Sequence, residues 1–325
     1  MKFRTEITPT PLACRIGYSS RILSLGSCFA DTVARRLAQA KFDLTANPTG
    51  VLFNPLSIAA AIERFDRAEP VARGELAEGP EGWFHDDFHG SFTRPDAAQA
   101  LEAMNRAVET GSRALHRSDT LLLTFGTAWV YERRDTGRPV ANCHKQPQER
   151  FRRRLVAAEE IVSRWSRLLE DPLRDKRIVL TLSPVRHLRD GAAENSLSKA
   201  ILRVAIAALA ERCPRIDYFP AFELLTDDLR DYRFYADDLV HPSEQAARYI
   251  WERFSEAALD PGVRRLAERV EALVRSSQHR PLHPGSEAWR RFAERQLAEA
   301  AALERETGLD FGPEKAVWDA EAPIP

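Results

Sequence analysis

The sequence lacks the features that mark several classes of protein. None of its windows approaches the ~20 consecutive apolar residues that a membrane span requires, and the opening segment MKFRTEITPTPL has no apolar stretch of the secretory-signal type. A net charge of −1 offers no basic excess for nucleic acid. These observations predict no membrane span and no nucleic-acid partner. The sequence has four cysteines, Cys14, Cys28, Cys143 and Cys213. They form no CxxC pair, so we expect reduced thiols and a cytoplasmic location.

Short apolar runs alternate with stretches of helical period, which predicts an α/β domain. Runs such as TLLLTF and IVLTL are apolar throughout, as in parallel strands covered by helices on both faces. The pattern predicts a three-layer sandwich over residues 1–258. Candidate strands are 21–25, 120–125, 177–182 and 216–219, and candidate helices include one after residue 28, 148–169 and 197–212.

Two other regions depart from this alternation. Residues 66–95 are rich in glycine and proline and predict an irregular insertion. Residues 259–325 predict a helical extension: an amphipathic helix from about Val263 to Val274, the breaker HRPLHPG at 279–285, and a charged helix over 286–306. The basic run at 150–154 precedes two glutamates in the predicted helix 148–169, which favours a solvated face.

The stretch RILSLGSCFADTVARRLAQA, residues 21–40, contains two candidate nucleophiles at one strand-to-helix turn. Functional groups in a parallel α/β sheet gather at the carboxyl ends of strands, where Ser27 is expected, and a helix N-terminus favours developing negative charge. Taken alone, however, a serine in this position is more often a helix N-cap. Cys28 could be reactive there, but we expect it to point away from Ser27 as a small buried hydrophobe.

A serine needs a general base, and YADDLVHPSEQ supplies the best candidate. Asp238 and His241 have D-x-x-H spacing, which can place the carboxylate on one imidazole nitrogen and leave the other exposed. Asp237 is one residue out of that spacing. A capped helix start remains the alternative interpretation.

Together these motifs resemble the GSCFA family, itself similar to the SGNH/GDSL hydrolases. Residues 26–30 spell GSCFA, and the resemblance extends over about residues 1–255. It implies a flavodoxin-like fold with Ser27 as nucleophile, His241 as base and Asp238 as its orienting carboxylate. Further matching segments are NPTGVLFNPLSI (47–58), DFHGSF (87–92), LTFGTAWVY (123–131), NCHKQP (142–147), LSPVRH (182–187) and DDLVHP (237–242).

The same resemblance implies an oxyanion hole made of the nucleophile's N–H, a glycine N–H and an asparagine side chain. Gly50 is the candidate glycine. The stretch where the asparagine is expected is Gly126-Thr127-Ala128, which has none two residues after the glycine. Asn54, Asn142 or Thr127 could supply the donor, and losing one such donor costs roughly 10²–10³ in rate.

Several histidines allow other interpretations. His85 and His89 have i, i+4 spacing, which could chelate a metal on a helix, but their surroundings predict loop or strand, so we expect no metal and a His89 that could face substrate. His144, His187 and Arg186 are expected in structural or substrate-binding roles, since neither histidine has a carboxylate at helpful spacing.

The sequence thus predicts a serine esterase that removes an O-acyl group from a carbohydrate or small-molecule ester through an acyl-enzyme, without a cofactor. An O-acyltransferase using the same residues, or a binding protein that keeps the fold, are the alternatives. The oligomeric state is left open.

Overall fold

The fold is described from a computed structural model, which covers residues 4–278, 283 and 286–319. Its strands form one large sheet and two small ones. In chain order they are β1 (Arg21–Gly26), β2 (Asp43–Ala46), β3 (Ala77–Gly79), β4 (Gly82–Phe84), β5 (Thr120–Phe125), β6 (Trp129–Arg133), β7 (Pro139–Val140), β8 (Phe151–Leu155), β9 (Arg177–Leu182) and β10 (Ile216–Phe219).

The large sheet is five-stranded and parallel, in the order β10-β9-β5-β1-β2. Read from the other edge, the strands of this sheet follow the order 2-1-3-4-5 of flavodoxin-like folds. Gly26 of β1 lies opposite Thr124 of β5, and Phe125 of β5 lies opposite Leu182 of β9. The three central strands therefore end together at one edge of the sheet, where a site is expected in this topology.

The pleat explains why these strands are apolar throughout. Leu23 and Leu25 of β1 face one core, whereas Ile22 beside them faces the other. All three are at most 3% exposed, and burying a side chain of this size contributes about 1.5–3 kcal/mol. Two hydrophobic cores, one on each face of the sheet, follow from this alternation.

Helices cover both faces and confirm the predicted three-layer sandwich. On one face α2, α4 and α5 contribute Ile62, Trp165 and Leu202 to the core, and on the other α1 and α7 contribute Phe29 and Phe254. The helices are α1 (Cys28–Gln39), α2 (Pro55–Asp66), α3 (Ala97–Arg117), α4 (Ala158–Glu170), α5 (Ala192–Arg212), α6 (Ala221–Glu223), α7 (Glu244–Ala258), α8 (Pro261–Ser277), α9 (Glu287–Thr307) and α10 (Gly312–Trp318).

The predicted helix 148–169 is wrong in its first half. Residues 151–155 form β8, which pairs antiparallel with β6, and the helix α4 begins only at Ala158. In that register Glu132 lies opposite Arg152, and its carboxylate accepts hydrogen bonds from Arg152 and Arg154. Glu132 is a buried acid in the neighbouring strand, and its pairing with these arginines favours a strand over the predicted helix.

The segment 66–95 contains only short elements, as predicted. It holds the two-residue-turn hairpin of β3 and β4 and two single turns of 3-10 helix. It leads from α2 into α3, places His89 against the loop that follows β2, and places His85 and Asp86 against the loop that follows β7.

The region after α7 is helical, as expected. Helices α8, α9 and α10 share a hydrophobic cluster that includes Val270, Leu303 and Trp318. Lys41, just beyond α1, joins this region to the sheet domain: its ammonium donates to the Asp310 carbonyl at 2.7 Å and to Glu314 at 2.9 Å. Most of the predicted breaker 279–285 lies outside the described residues, and no described helix combines the length and apolarity needed to cross a membrane.

Candidate active site

The site lies where the central strands end. Gly26 closes β1 with φ +146°, and a Cβ at this position would lie 2.3 Å from the Thr124 carbonyl oxygen of the neighbouring strand. Only glycine fits this close approach. Its N–H donates to the Asn47 side-chain oxygen at 2.9 Å, and the Asn47 amide donates to Asp31 in the first turn of α1 at 2.6 Å. The start of α1 is thereby fixed against the ends of β1 and β2.

Ser27 occupies the N-cap position of α1 and is completely buried. Its side chain makes no capping hydrogen bond, and its Oγ has no hydrogen-bond partner among the described residues. Gly126, after β5, lies directly beside it: a Cβ on that glycine would lie 3.3 Å from Ser27 Cβ. The hydroxyl is therefore directed into the packed strand ends rather than toward solvent.

Cys28 is the first residue of α1 and is half-buried. Its Sγ lies 3.5 Å from Nε2 of His241, across 213 residues of sequence. A thiol and an imidazole at this separation are within hydrogen-bonding reach, since sulfur is larger than oxygen. Cys28 thus meets the base that the sequence assigned to Ser27.

Asp238 holds His241 through a compact turn. One carboxylate oxygen of Asp238 accepts the backbone N–H groups of Val240 and His241, both at 2.9 Å, and the other lies 2.6 Å from His241 Nδ1. Leu239 in the middle of this turn has φ +56°, a conformation that costs an L-residue about 1–2 kcal/mol. The turn confirms the spacing argument: three residues suffice to place carboxylate and ring together.

The electrostatics suit proton transfer from Cys28 to His241. Hydrogen bonds from the backbone and ring of His241 lower the pKa of Asp238 to about 2, so Asp238 is an anion at all physiological pH values. Burial raises the pKa of the Cys28 thiol, against the opposing effect of the N–H groups of Cys28 and Phe29. The resting thiol is neutral and needs a base to ionise, and His241 is in position to be that base.

The predicted contact between Ser27 and His241 is not formed. The physical reason is the helix start: Ser27 adopts extended N-cap dihedral angles (φ −69°, ψ 174°), while Cys28 has already entered the helix. The two side chains consequently leave the backbone in different directions, Ser27 toward the sheet and Cys28 toward the loop that contains His241. Cys28 does point away from Ser27 and pack against the core, as expected, but the expectation of a buried, purely structural thiol needs correction, because the side chain is half-buried and its Sγ faces His241.

A cavity of about 60 Å³ opens beside this pair. Cys28 and His241 form part of its wall, and the rest is mostly apolar apart from Thr32, with Phe29, Val185, Pro242 and Ala247. A larger cavity of about 1080 Å³ lies around Arg4, Asp228 and Phe234, but no cysteine, serine or histidine is among the described residues that line it. The small cavity, in contrast, is lined by both the thiol and the imidazole of this pair.

The residues predicted for the oxyanion hole make local contacts. The N–H of Gly50 donates to the Asn47 carbonyl at 2.8 Å, and those of Gly126 and Thr127 both donate to the Phe53 carbonyl. Asn54 caps α2, its side-chain oxygen accepting the Ser57 N–H at 2.8 Å. None of the described hydrogen bonds joins these four residues to Cys28 or His241.

His89, Asn142 and His144 lie in the insertion and the loop that packs on it. His89 accepts the Ser91 N–H, Asn142 accepts the His144 N–H, and the His144 ring stacks on Phe84 with centroids 4.4 Å apart. The Gly50 backbone packs so closely on His89 that a Cβ would lie 2.2 Å from it. These contacts tie the insertion to the domain.

The spacing of His85 and His89 does not produce a cluster of metal ligands among the described residues. His85 is buried, and its Nδ1 accepts the Asp87 N–H while its Nε2 lies 3.4 Å from Glu75. Within the described ranges, no group of three or more histidine, cysteine or acidic side chains could hold a metal ion.

Arg186 and His187 lie beside the site. The Arg186 guanidinium donates to the Leu239 carbonyl at 3.2 Å, and its backbone N–H donates to the Val240 carbonyl, so it braces the turn that holds His241. His187 Nε2 lies near Gly126, 3.3 Å from where a Cβ would be placed. The structure brings both residues to the site, as predicted, but neither makes a described contact with Cys28.

One nearby residue escaped the sequence interpretation altogether. Lys199 of α5 is 2% exposed, and its ammonium donates to the carbonyls of Gly126 and Ser183 at 2.7 and 2.8 Å. A signal for it exists: Leu202, Ile206 and Leu209 follow at i+3, i+7 and i+10, which places Lys199 on the buried face of the helix.

Fold and site together define the class: a doubly wound parallel α/β protein with a thiol, an imidazole and a carboxylate in line at the carboxyl end of its first strand. The chain belongs to the GSCFA family, whose model matches residues 21–254. A second model, described as the C-terminal domain of GSCFA domain proteins, matches residues 270–320.

Two solved structures are distantly similar. One is a carbohydrate esterase family 3 protein from Talaromyces cellulolyticus, with 11% identity and a TM-score of 0.32 over 76% of this chain and 97% of that one. The other is a mutant acetyl esterase with acetate ion, with 11% identity and a TM-score of 0.31 over 77% and 98%. Similarity at this level supports no conclusion about activity. No match to a curated protein was found.

Proposed function

We propose that this protein is an ester hydrolase that works through a covalent acyl-enzyme on Cys28. The observation that carries the proposal is the line of contacts from Cys28 Sγ to His241 Nε2 at 3.5 Å and from His241 Nδ1 to Asp238 at 2.6 Å. A nucleophile, its base and a carboxylate that orients the base are the parts that acyl transfer needs.

The chemistry follows from these positions. His241 Nε2 takes the proton of the Cys28 thiol as sulfur attacks the carbonyl carbon of the ester. Asp238 stabilises the imidazolium that results. The bond to the leaving alcohol then breaks, and His241 returns the proton to the alkoxide. Water, losing a proton to His241, next attacks the thioester, and the acid leaves with the thiol restored.

The oxyanion of each tetrahedral intermediate needs donors close to Cys28. The first amides of a helix have no intrahelical acceptor, and those of Cys28 and Phe29 already interact favourably with a thiolate at this position. We assign the oxyanion to this start of α1, in place of the asparagine that the sequence lacks and of the Gly50 amide, which is bonded elsewhere.

The cavity favours a short acyl group. At about 60 Å³ it is small, which suits an acetyl group better than a long acyl chain. Phe29 and Val185 provide the apolar contact for its methyl. The alcohol part, for which a carbohydrate or another small molecule is the proposal, would lie outward of His241, whose side chain is half exposed.

The test is a matched pair of substitutions at adjacent positions. Cys28→Ala should lower the hydrolysis of p-nitrophenyl acetate by roughly 10³-fold or more, because the covalent route is lost. Ser27→Ala should leave it within about threefold, since a buried hydroxyl without a partner contributes little. Mass spectrometry of protein quenched during turnover should find the acetyl group on the peptide that contains Cys28.

The converse result would overturn the assignment. Loss of activity in Ser27→Ala with retention in Cys28→Ala would restore the serine esterase of SGNH type that the resemblance implied. If neither substitution changes turnover and no acyl adduct forms on folded protein, the hydrolase proposal is wrong and a binding protein that keeps the fold is the better interpretation.

The reaction products distinguish ester hydrolysis from transfer of the acyl group to an alcohol. The thioester can pass its acyl group to an alcohol instead of water, which would make the protein an O-acyltransferase. Product analysis with an acceptor sugar present should show free acetate if the proposal is right. Acetylated sugar as the main product would replace the hydrolase by the transferase.

A further inference from the structure

Tyr232 is the most exposed of the large apolar side chains in the part of the chain that the structure describes. It is 65% exposed and lies in a single turn of 3-10 helix, nine residues before His241. Its ring contacts that of Tyr235, with 6.1 Å between the centroids. Tyr235 packs against a hydrophobic core, which anchors the pair. Single exposed apolar residues are common on protein surfaces, so the position of Tyr232 relative to the candidate active site decides its meaning.

Arg186 connects the two tyrosines to the turn that holds His241. Its guanidinium carbon lies 5.9 Å from the centroid of the Tyr232 ring and 5.4 Å from that of Tyr235, and it donates to the Leu239 carbonyl at 3.2 Å. Within the described ranges no carboxylate forms an ion pair with Arg186. Because a guanidinium has five N–H donors, most of its donors remain for a ligand.

Two chain neighbours place this group at the edge of the cavity of about 60 Å³. Val185, which directly precedes Arg186, lines that cavity. Pro242, which directly follows His241, also lines it and lies opposite Tyr235 in an antiparallel bridge. The tyrosine pair and Arg186 are therefore joined to the cavity wall from two separate segments of the chain.

The proposed reaction restricts where the alcohol part of the ester lies. His241 returns a proton to the leaving alkoxide, so the alkoxide oxygen has to come within hydrogen-bond reach of Nε2. The acyl group occupies the small cavity, and the rest of the ester extends outward past His241, whose side chain is half exposed. The segment 232–241 and Arg186 border this exit.

We propose that Tyr232, Tyr235 and Arg186 bind the alcohol part of the ester and that this alcohol is a sugar ring. The assignment rests on the proposed function. A sugar has an apolar C–H face that packs on an aromatic ring, and tyrosine offers such a surface at low conformational-entropy cost. The hydroxyl groups at the edge of the sugar accept hydrogen bonds from the remaining donors of Arg186. A simple alkyl alcohol would use neither feature.

Kinetics with acetate esters that differ only in the alcohol test the proposal. In the wild-type protein and in Tyr232→Ala, kcat/KM is measured for monoacetylated glucose and for ethyl acetate. The ratio of the two values should fall roughly fivefold in Tyr232→Ala, through KM for the sugar ester, because binding common to the ground state and the transition state is lost. Tyr232→Phe keeps the ring and should keep the ratio.

Val204→Ala is the matched control. It removes another exposed apolar side chain, 59% exposed on α5, and should leave the ratio at the wild-type value. Because both positions are exposed, thermal unfolding of the two alanine variants should resemble that of the wild type. A ratio that is unchanged in Tyr232→Ala, or lowered equally by Val204→Ala, would overturn the proposal.

Arg186 distinguishes a sugar from a flat aromatic alcohol, which could also stack on tyrosine. Arg186→Gln keeps a donor for the Leu239 carbonyl but removes donors for sugar hydroxyls. The ratio of kcat/KM for monoacetylated glucose to that for phenyl acetate should fall roughly threefold in this variant, as expected for a lost hydrogen bond. A ratio that stays constant would overturn the sugar assignment.

Binding without turnover separates this proposal from the proposed function. Saturation-transfer NMR with methyl glucoside is carried out on Cys28→Ala, which has no thiol to acylate, and on the same variant with Tyr232→Ala added. A signal that requires Tyr232 supports the sugar site even if Cys28 is not the nucleophile. Ester hydrolysis by the wild type without any signal that depends on Tyr232 would overturn the sugar site and leave the hydrolase proposal intact.

Discussion

The turn that contains Asp238 and His241 differs from the strand edge that contains Cys28 in how each is held. The turn is half exposed and is closed by hydrogen bonds between residues three apart. The strand edge is buried, and its contacts join Gly26 to Thr124 and Lys199 to Ser183. Local hydrogen bonds thus hold the proposed base, whereas tertiary packing positions the proposed nucleophile.

The difference implies separate vulnerabilities. Chemistry should depend on both regions, because the thiol and the base come from different ones. Stability should depend mainly on the strand edge, because an exposed carboxylate–imidazole contact contributes little to folding. Substitutions in each region can therefore distinguish catalytic loss from unfolding.

The largest effect is expected from His241→Ala, which separates the two regions. Without a base the neutral thiol attacks poorly, and esterase activity should fall by roughly 10³-fold or more, with a melting temperature close to wild type. Esterase assays and thermal unfolding measure both quantities. His116→Ala, at the remote end of α3, is the matched control, and retention of activity in His241→Ala would show that another base serves Cys28.

The next largest effect is expected from Asp238→Asn, which should lower esterase activity by roughly 10²–10⁴-fold. The asparagine oxygen can still accept the two backbone N–H groups, but its amide would favour a proton-free Nδ1 and so place the ring proton on the nitrogen that faces sulfur. Asp237→Asn is the control and should be near wild type. Equal effects of the two substitutions would argue against the orienting role.

The same carboxylate fixes a pH limit. Because the folded-state pKa of Asp238 is lowered to about 2, its interaction with His241 is present above the ordinary range for aspartate and is lost as pH falls toward 2. Activity measured between pH 5 and 8 should therefore show no step from this group, and a step abolished by Asp238→Asn would contradict that expectation.

Gly26→Ala should damage the strand edge while sparing the turn. The added Cβ would lie 2.3 Å from the Thr124 carbonyl at a positive φ, so unfolding free energy should fall by about 2–4 kcal/mol. Gly74→Ala is the matched control, since nothing lies within 4 Å of its Cβ position. Urea denaturation of both variants compares them, and equal stabilities would mean that the strand ends can separate.

The smallest effect is expected within the turn, from comparing Leu239→Gly with Leu239→Ala. Both remove an exposed side chain, but only glycine relieves the left-handed conformation at φ +56°. The glycine variant should be more stable by about 1 kcal/mol, with activity retained. Should alanine prove the more stable, the turn would not be strained.

The sequence was informative wherever neighbours in the chain determine the outcome. Apolar runs gave four of the five strands of the parallel sheet but not the edge strand β2, which has no such run, and D-x-x-H spacing gave the contact of Asp238 with His241. It failed at residues 148–157, where helical periodicity gave way to β8 because Glu132 and the antiparallel partner β6 lie elsewhere in the chain.

The candidate site shows the same division. The sequence predicted that the GSC turn and His241 come together, and the structure brings them into contact, but through Cys28 instead of Ser27. Which of two adjacent side chains meets a histidine 213 residues away depends on the helix phase set by packing of α1, which no local pattern records.

Family membership, the α/β class and the acidic residue paired with His241 were thus determined by the sequence itself, through patterns that span a few residues. The tertiary structure alone decided that Cys28 rather than Ser27 faces that histidine and that Lys199 is buried against the Gly126 and Ser183 carbonyls. The reason is physical: the strand ends, the start of α1 and the face of α5 converge only when the sheet is assembled, and side-chain direction there is set by close packing between distant segments.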